Sequence, residues 1–122
     1  MRILIVDDSS TMRRILKTQL QGLGVTDVPE AGNGEEGLVA LEKNMPVDIV
    51  MLDWNMPVMD GITFLKTVRA NPAYNSVKVV MCTSESEKSK VVEALKEGAN
   101  NYVVKPFTPE ALNSALTRIG LA

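Results

Sequence analysis

Asp7, Asp8, Asp53, Thr83 and Lys105 are the residues of this chain whose types and places could do chemistry together. Each stands at the end of a short apolar run. Asp53 closes Ile49-Val-Met-Leu52, Asp7-Asp8 follow Ile3-Leu-Ile-Val6, Thr83 and Ser84 close Val77-Lys-Val-Val-Met-Cys82, and Lys105-Pro106 follow Tyr102-Val-Val104. If these runs are parallel strands of one sheet, their carboxyl ends share an edge, and ligands of open α/β sheets bind there. Three carboxylates gathered at that edge repel one another by about 4 kcal/mol per close pair at an effective dielectric of about 20. A hard divalent cation removes that repulsion. The donors are oxygens, the chain has no histidine, and Cys82 lies inside an apolar run, so the cation that suits them is Mg²⁺. Such a site supports phosphoryl transfer to a carboxylate. Asp53 is the nucleophile, since aspartate forms acyl phosphates. Mg²⁺ sits on Asp7, Asp8, Asp53 and the backbone carbonyl of Asn55, while Lys105 and the Thr83 hydroxyl each take another phosphoryl oxygen.

Each residue also has a plainer reading. An Asp after a strand often caps the next helix or turns the chain, Thr83 could only end its strand, Lys105 could be solvated, and Asp8 could cap the first helix. The elements decide between these. From about Ser10 to Leu23, Met12, Ile15, Leu16, Leu20 and Leu23 follow helical spacing, with Ser9 or Ser10 as N-cap. Val25 to Glu30 reads as a second strand, at an edge because Asp27 and Pro29 interrupt it. Asn33-Gly-Glu-Glu36 has the spacing of a capping box opening a helix to about Lys43, with Leu38 and Leu41 inward. A third helix carries Ile62, Leu65, Val68 and Arg69 and ends near Asn71-Pro72. Ser84-Glu-Ser-Glu87 is a second capping box, predicting a helix with Val91, Ala94 and Leu95 inside and Gly98 as its stop. Thr108-Pro109-Glu110 opens the last helix, packed through Leu112, Ala115, Leu116 and Ile119. Strict alternation of strand and helix implies a parallel sheet with helices on both faces, an α/β doubly wound fold.

Composition narrows the function. The chain has 122 residues, expected to form a single domain over 1–122 with no output domain. Thirteen Lys plus Arg against 15 Asp plus Glu give a net charge of -2, which offers no footprint for nucleic acid. A lone cysteine, no apolar run of membrane length and no leader-like start point to a cytoplasmic protein that contacts no membrane and acts as a monomer.

Four motifs then carry a resemblance that runs end to end. Ile-Leu-Ile-Val-Asp7-Asp8-Ser, Met-Leu-Asp53-Trp-Asn-Met-Pro-Val-Met-Asp-Gly, Cys-Thr83-Ser-Glu and Asn-Tyr102-Val-Val-Lys105-Pro-Phe107 resemble the receiver domain of two-component response regulators, most nearly its single-domain chemotaxis branch. The resemblance implies a flavodoxin-like (βα)5 sheet in strand order 2-1-3-4-5. It implies that Asp53 accepts phosphate from a phosphohistidine on a histidine kinase, that Asp7, Asp8 and the Asn55 carbonyl bind Mg²⁺, and that Lys105-Pro106 is cis. It further implies a switch in which phosphorylation draws Thr83 in, the Tyr102 ring swings into the vacated space, and the face of the fourth helix, fifth strand and fifth helix changes for a partner. The family's partner would be the flagellar motor switch protein, with a phosphatase ending the signal. Trp54 would report metal and phosphate, and Asn55 and Glu85 would line the path of the hydrolytic water and tune the phosphate's lifetime. Two departures bear on this reading: Ser84 stands where a small alanine is usual, and Arg118 is the only cation of the last helix. A phosphate sink or phosphorelay intermediate for another regulator would share every site residue. From another class, a Mg²⁺-dependent phosphatase of the haloacid-dehalogenase type would need an acid where this chain has Asn55. A flavin-binding module would need a phosphate-cradling loop in place of Asp7-Asp8.

Overall fold

The computed structural model describes residues 1–84, 89–106 and 108–120. Its strands are β1 (Ile3–Val6), β2 (Glu30–Ala31), β3 (Ile49–Asp53), β4 (Lys78–Thr83) and β5 (Asn101–Val104), and its helices α1 (Ser10–Gly22), α2 (Gly34–Asn44), α3 (Gly61–Ala70), α4 (Val91–Lys96) and α5 (Pro109–Thr117). All pairings are parallel and the order is β2-β1-β3-β4-β5. β1 and β3 are buried along their whole length, as continuous apolar runs must be when helices cover both faces. Alternation within each strand feeds two cores. Leu4, Val6 and Leu52 pack with Leu41 of α2, Phe64, Leu65 and Val68 of α3, and Ala94 of α4. Ile3, Ile5 and Met51 pack on the opposite face with Leu16 and Leu20 of α1 and Leu112 and Leu116 of α5. Among the described residues no helix is long and apolar enough to cross a membrane.

Helix starts are set locally. Ser9, Asn33, Asp60 and Thr108 each accept a hydrogen bond from the backbone N–H three residues on, satisfying a donor that the helix leaves free. At Asn33 the returning bond of the capping box runs to the side chain: Asn33 Nδ2 donates to Glu36 Oε2 at 2.8 Å.

Three expectations shift. The second strand is Glu30–Ala31, not Val25 to Glu30, because Pro29 has no N–H to give. The preceding segment still runs along β1, where Asp27, Pro29 and Ala31 carbonyls accept from the N–H groups of Ile3, Ile5 and Asp7. The expected capping box at Ser84–Glu87 lies largely outside the described residues, and α4 starts at Val91 with Lys90 before it and no side-chain cap. Leu95 is 43% exposed rather than inside, since so short a helix turns only Val91 and Ala94 inward.

The connection from β3 to α3 is tied down at both ends. Gly61 N donates to the Trp54 carbonyl at 2.9 Å, and Gly34 N of α2 to the Met59 carbonyl at 3.2 Å. Between them Met59 N donates to the Pro57 carbonyl at 2.7 Å, closing a tight turn over Val58, whose φ is +69°. That is a strained setting for a β-branched residue. Gly61 is required by crowding: a Cβ there would collide with the Asp53 carbonyl oxygen and stand 3.1 Å from Trp54 Cα. Gly61→Ala should therefore destabilise the fold by about 1 to 3 kcal/mol, the usual cost of overpacking against groups that cannot yield. Urea denaturation measures this, and a loss below about 0.5 kcal/mol would show that the connection can shift.

Candidate functional site

The register delivers the chemistry-bearing residues to one sheet edge. Val6 pairs with Leu52 and Asp53 with Cys82, so Asp7 leaves β1 beside the residue that ends β3. Thr83 pairs with Val104, and the Lys105 N–H donates to the Thr83 carbonyl at 2.6 Å, which sets Lys105 at the end of β5 next to β4. One carboxylate oxygen from each of Asp7, Asp8 and Asp53 lies within 4.8 Å of the others. Lys105 reaches across them. Its Nζ stands 2.9 Å from Asp53 Oδ1 and 3.1 Å from Asp7 Oδ2.

The three acids are prepared differently. Asp53 is buried, and its Oδ1 also accepts from the Trp54 N–H at 2.9 Å. Asp7 is buried, with Oδ1 accepting from the Ser9 N–H at 2.9 Å. Asp8 is exposed, and its carboxylate takes no hydrogen bond among the described residues. Capping of α1 falls to Ser9, so the plainer reading of Asp8 does not apply. Asp60, in the same motif as Asp53, is the cap of α3, and its hydrogen bonds from Thr63 hold it below the ordinary carboxylate range.

Burial pushes Asp53 up to about 6, against the pull of the Lys105 hydrogen bond and charge, with Asp7 adding to the rise. An isolated ion pair would lower an acid; here the loss of water outweighs the pairing. Burial also works against the charge of Lys105, but its hydrogen bond to Asp53 and the charges of Asp53 and Asp7 prevail and raise it. Lys105 is a fixed cation. Cys82, pushed up to about 12 by burial, offers no thiolate. With three carboxylates facing one ammonium, the cluster keeps an excess of negative charge on its exposed side. Oxygen donors, partial neutralisation and an unbonded Asp8 fit a hard divalent cation.

Thr83 is fully buried, and its hydroxyl finds no hydrogen-bond partner among the described residues. An orphaned hydroxyl of this kind costs about 1 to 3 kcal/mol. Of the remaining expected residues, Asn55 is exposed two positions beyond Asp53, and Ser84 is half-buried after Thr83. Tyr102 is half-buried in β5, opposite Met81, and packs against the core of α2, α3 and α4. Glu85 lies outside the described residues. Trp54 is almost fully buried, and Lys90 Nζ stands 5.8 Å from its ring centre. Nothing in the sequence points to that contact, because Lys90 falls there within the helix expected from Ser84 onward. The Lys105-Pro106 bond is cis, as expected, and so is Met45-Pro46, which the sequence did not single out.

Known proteins resemble this chain along most of its length. Residues 3–117 match the response regulator receiver domain family. A chemotaxis protein CheY homolog of Campylobacter jejuni is 50% identical over 95% of this chain and 89% of its own. The CheY1 chemotaxis protein of Helicobacter pylori is 47% identical over 95% of this chain and 94% of its own. The solved structure of the chemotaxis protein CheY4 of Vibrio cholerae superposes with a TM-score of 0.87 at 37% identity, covering 97% of each chain.

The raised value of Asp53 makes stability depend on pH in a definite sense. A folded value of about 6 against an ordinary 3.8 means that the fold prefers the protonated acid. Its contribution is complete below pH 3.8 and is lost as pH rises through 6. Asp53→Asn, neutral throughout, should in the absence of divalent cations be more stable than the native chain at pH 8 by about 2 to 3 kcal/mol, with the gap closing toward pH 4. Urea midpoints at the two pH values test it, and a gap that is constant or reversed would mean that pairing with Lys105 outweighs burial.

Proposed function

The chain belongs to the response regulator receiver domain family, and we propose that it is a phosphorylation-activated signalling switch in which Asp53 accepts a phosphoryl group from a histidine kinase. The observation that carries this reading is the pairing of a buried, cation-bridged carboxylate with an orphaned buried hydroxyl at the same edge. A phosphoryl group on Asp53 would supply the acceptor that Thr83 lacks and would present its own oxygens to Lys105. Asp7, Asp8, Asp53 and the backbone carbonyl of Asn55 would hold Mg²⁺, which when bound offsets charge on the transferring group.

In the transfer, an ionised Asp53 oxygen attacks phosphorus of the donor's phosphohistidine, whose other ring nitrogen carries a proton, as the P–N bond breaks; the bonding pair stays on the imidazole, leaving an acyl phosphate on Asp53 and a neutral imidazole on the donor. Lys105 needs to move little. Its ammonium already contacts Asp53 Oδ1 and can pass to a phosphoryl oxygen while keeping Asp7. Thr83 gains its missing acceptor. Relief of that orphan, at about 1 to 3 kcal/mol, together with charge-assisted bonds of about 1.5 to 3 kcal/mol each, covers the roughly 5.5 kcal/mol needed to move a two-state equilibrium from mostly off to mostly on. Movement of Thr83 leaves room for the Tyr102 ring, and the face of α4, β5 and α5 presents a changed surface. Val92 and Leu95 of α4 are exposed at 60% and 43%, which suits an apolar partner surface there. The chemotaxis relatives favour the flagellar motor switch as that partner. Asn55 and Glu85 would tune hydrolysis of the acyl phosphate, with a phosphatase as a further partner. The chain catalyses only its own phosphorylation and dephosphorylation.

Trp54, whose N–H is bonded to Asp53, is the reporter for the test. Titrating Mg²⁺ should change its fluorescence, and acetyl phosphate added afterwards should change it again in the native chain but not in Asp53→Asn. An unchanged signal in the native chain, with the fold intact by circular dichroism, would remove the phosphoacceptor role. Thr83→Val separates switching from stability. Replacing the orphaned hydroxyl by a methyl should leave the resting protein as stable as native or more so by about 1 kcal/mol. The same variant should accept phosphate yet fail to bind the downstream protein, and a variant that still binds would take Thr83 out of the switch.

A further inference from the structure

Asp8 poses a problem that the other site residues do not. A metal ligand has to be aimed, yet the Asp8 carboxylate is exposed and unbonded among the described residues. Asp7 is held at its N–H by the Ala31 carbonyl at 3.1 Å, and at its carboxylate by Ser9 and Lys105. The aim of Asp8 must come through its backbone. Its N–H belongs to the same rigid peptide plane as the Asp7 carbonyl, so whatever fixes that carbonyl fixes the direction in which Asp8 leaves. The group that does so is Arg13, whose Nη1 donates to Asp7 O at 2.5 Å.

Arg13 lies in the first turn of α1, and its side chain folds back over the β1–α1 connection. The guanidinium is itself anchored. Nε donates to Glu30 Oε1 of β2 at 3.2 Å, and Lys17, a turn further along α1, stands 3.5 Å from the other Glu30 oxygen. Arg13 thus clamps the peptide between Asp7 and Asp8 to the edge strand, using two donors of its rigid fork at once. The anchoring ion pair adds little to stability. Glu30 is part-exposed, and ion pairs at such positions contribute little.

We propose that Arg13 is a positioning residue for the cation site, setting Asp8 through the Asp7 carbonyl with Glu30 as its anchor. The inference rests on the metal reading of Asp7, Asp8 and Asp53. It makes a prediction opposite in sign to simple electrostatics. Removing a nearby cation should tighten divalent binding if charge alone matters, and should weaken it if Arg13 aims a ligand.

The test is Mg²⁺ titration of the native chain, Arg13→Ala, Arg13→Lys and Lys17→Ala, followed by Trp54 fluorescence and by calorimetry, with melting curves taken without cation. Partners that orient a metal ligand typically contribute 10 to 100-fold in affinity, so Arg13→Ala should bind Mg²⁺ about 10-fold more weakly while melting near the native temperature. Arg13→Lys keeps the charge but has one ammonium for two acceptors, and should fall about 3-fold below native on the same scale. Lys17→Ala, which does not touch Asp7, should bind as well as native or better. Native-like or tighter binding by Arg13→Ala overturns the proposal, as does unchanged binding by Arg13→Lys, which decides the matter if the alanine variant loses its fold. A native chain that shows no Mg²⁺ response overturns the metal reading as well, and that outcome is distinct because it appears before any substitution.

Discussion

Lys105 bridging Asp53 and Asp7 is the contact on which the rest of the arrangement depends. Two buried carboxylates at one sheet edge would each suffer desolvation and repel the other, and a single ammonium at 2.9 and 3.1 Å relieves both. The relief is incomplete by design of the numbers. One cation cannot balance three acids, and Asp53 stays well above its ordinary value even so. The resting protein is therefore held together at this edge while remaining short of positive charge, which is the condition that a hard cation would relieve. The residues involved are far apart in sequence, and only parallel strands ending at one edge bring them within hydrogen-bond distance.

That edge has to be stiff where it binds and yielding where it signals. Stiffness is visible on the Asp53 side. β3 is buried between β1 and β4, the connection behind Asp53 is bonded to α2 at Gly34 and to α3 at Gly61, and Gly61 is packed against the Asp53 backbone itself. On the other side the order is looser: α4 is short, has no side-chain cap, and leaves Val92 and Leu95 in solvent. Lys90, lying over Trp54 at the start of α4, bridges the two parts, so a change at Asp53 has a contact through which to reach the helix packed on β4.

What the sequence showed plainly was whatever is local. The buried runs that end at Asp7 and Asp53 and the caps Ser9, Asn33 and Thr108 all depend on neighbours within a few residues. The convergence of Asp7, Asp8, Asp53, Thr83 and Lys105 followed because parallel topology forces strand ends together. β2 was placed too early because Pro29 and Asp27 blur the pattern, while its true position is fixed by carbonyls that β1 selects. Leu95 read as core because its spacing is right, but only a longer helix would have a stripe wide enough to bury it. The Lys90–Trp54 and Arg13–Asp7 contacts left no trace, since each joins a long polar side chain to a group that its own element does not predict.

The local rules the structure breaks fall close to one place. Val58 sits at positive φ in the connection from β3, Thr83 buries a hydroxyl that has no partner among the described residues at the end of β4, and Asp53 is buried against its own ionisation. Among the described residues the starts of α1, α2, α3 and α5 are capped and the strands are paired. Sequences tolerate such costs where the strained group has something to gain from a ligand. Thr83 has a gain that can be named, an acceptor for its hydroxyl, and Asp53 gains counter-charge when a hard cation joins Lys105. On the proposed reading these come in order, the cation first and a phosphoryl group after it, so the residues that are strained at rest are those that would answer both.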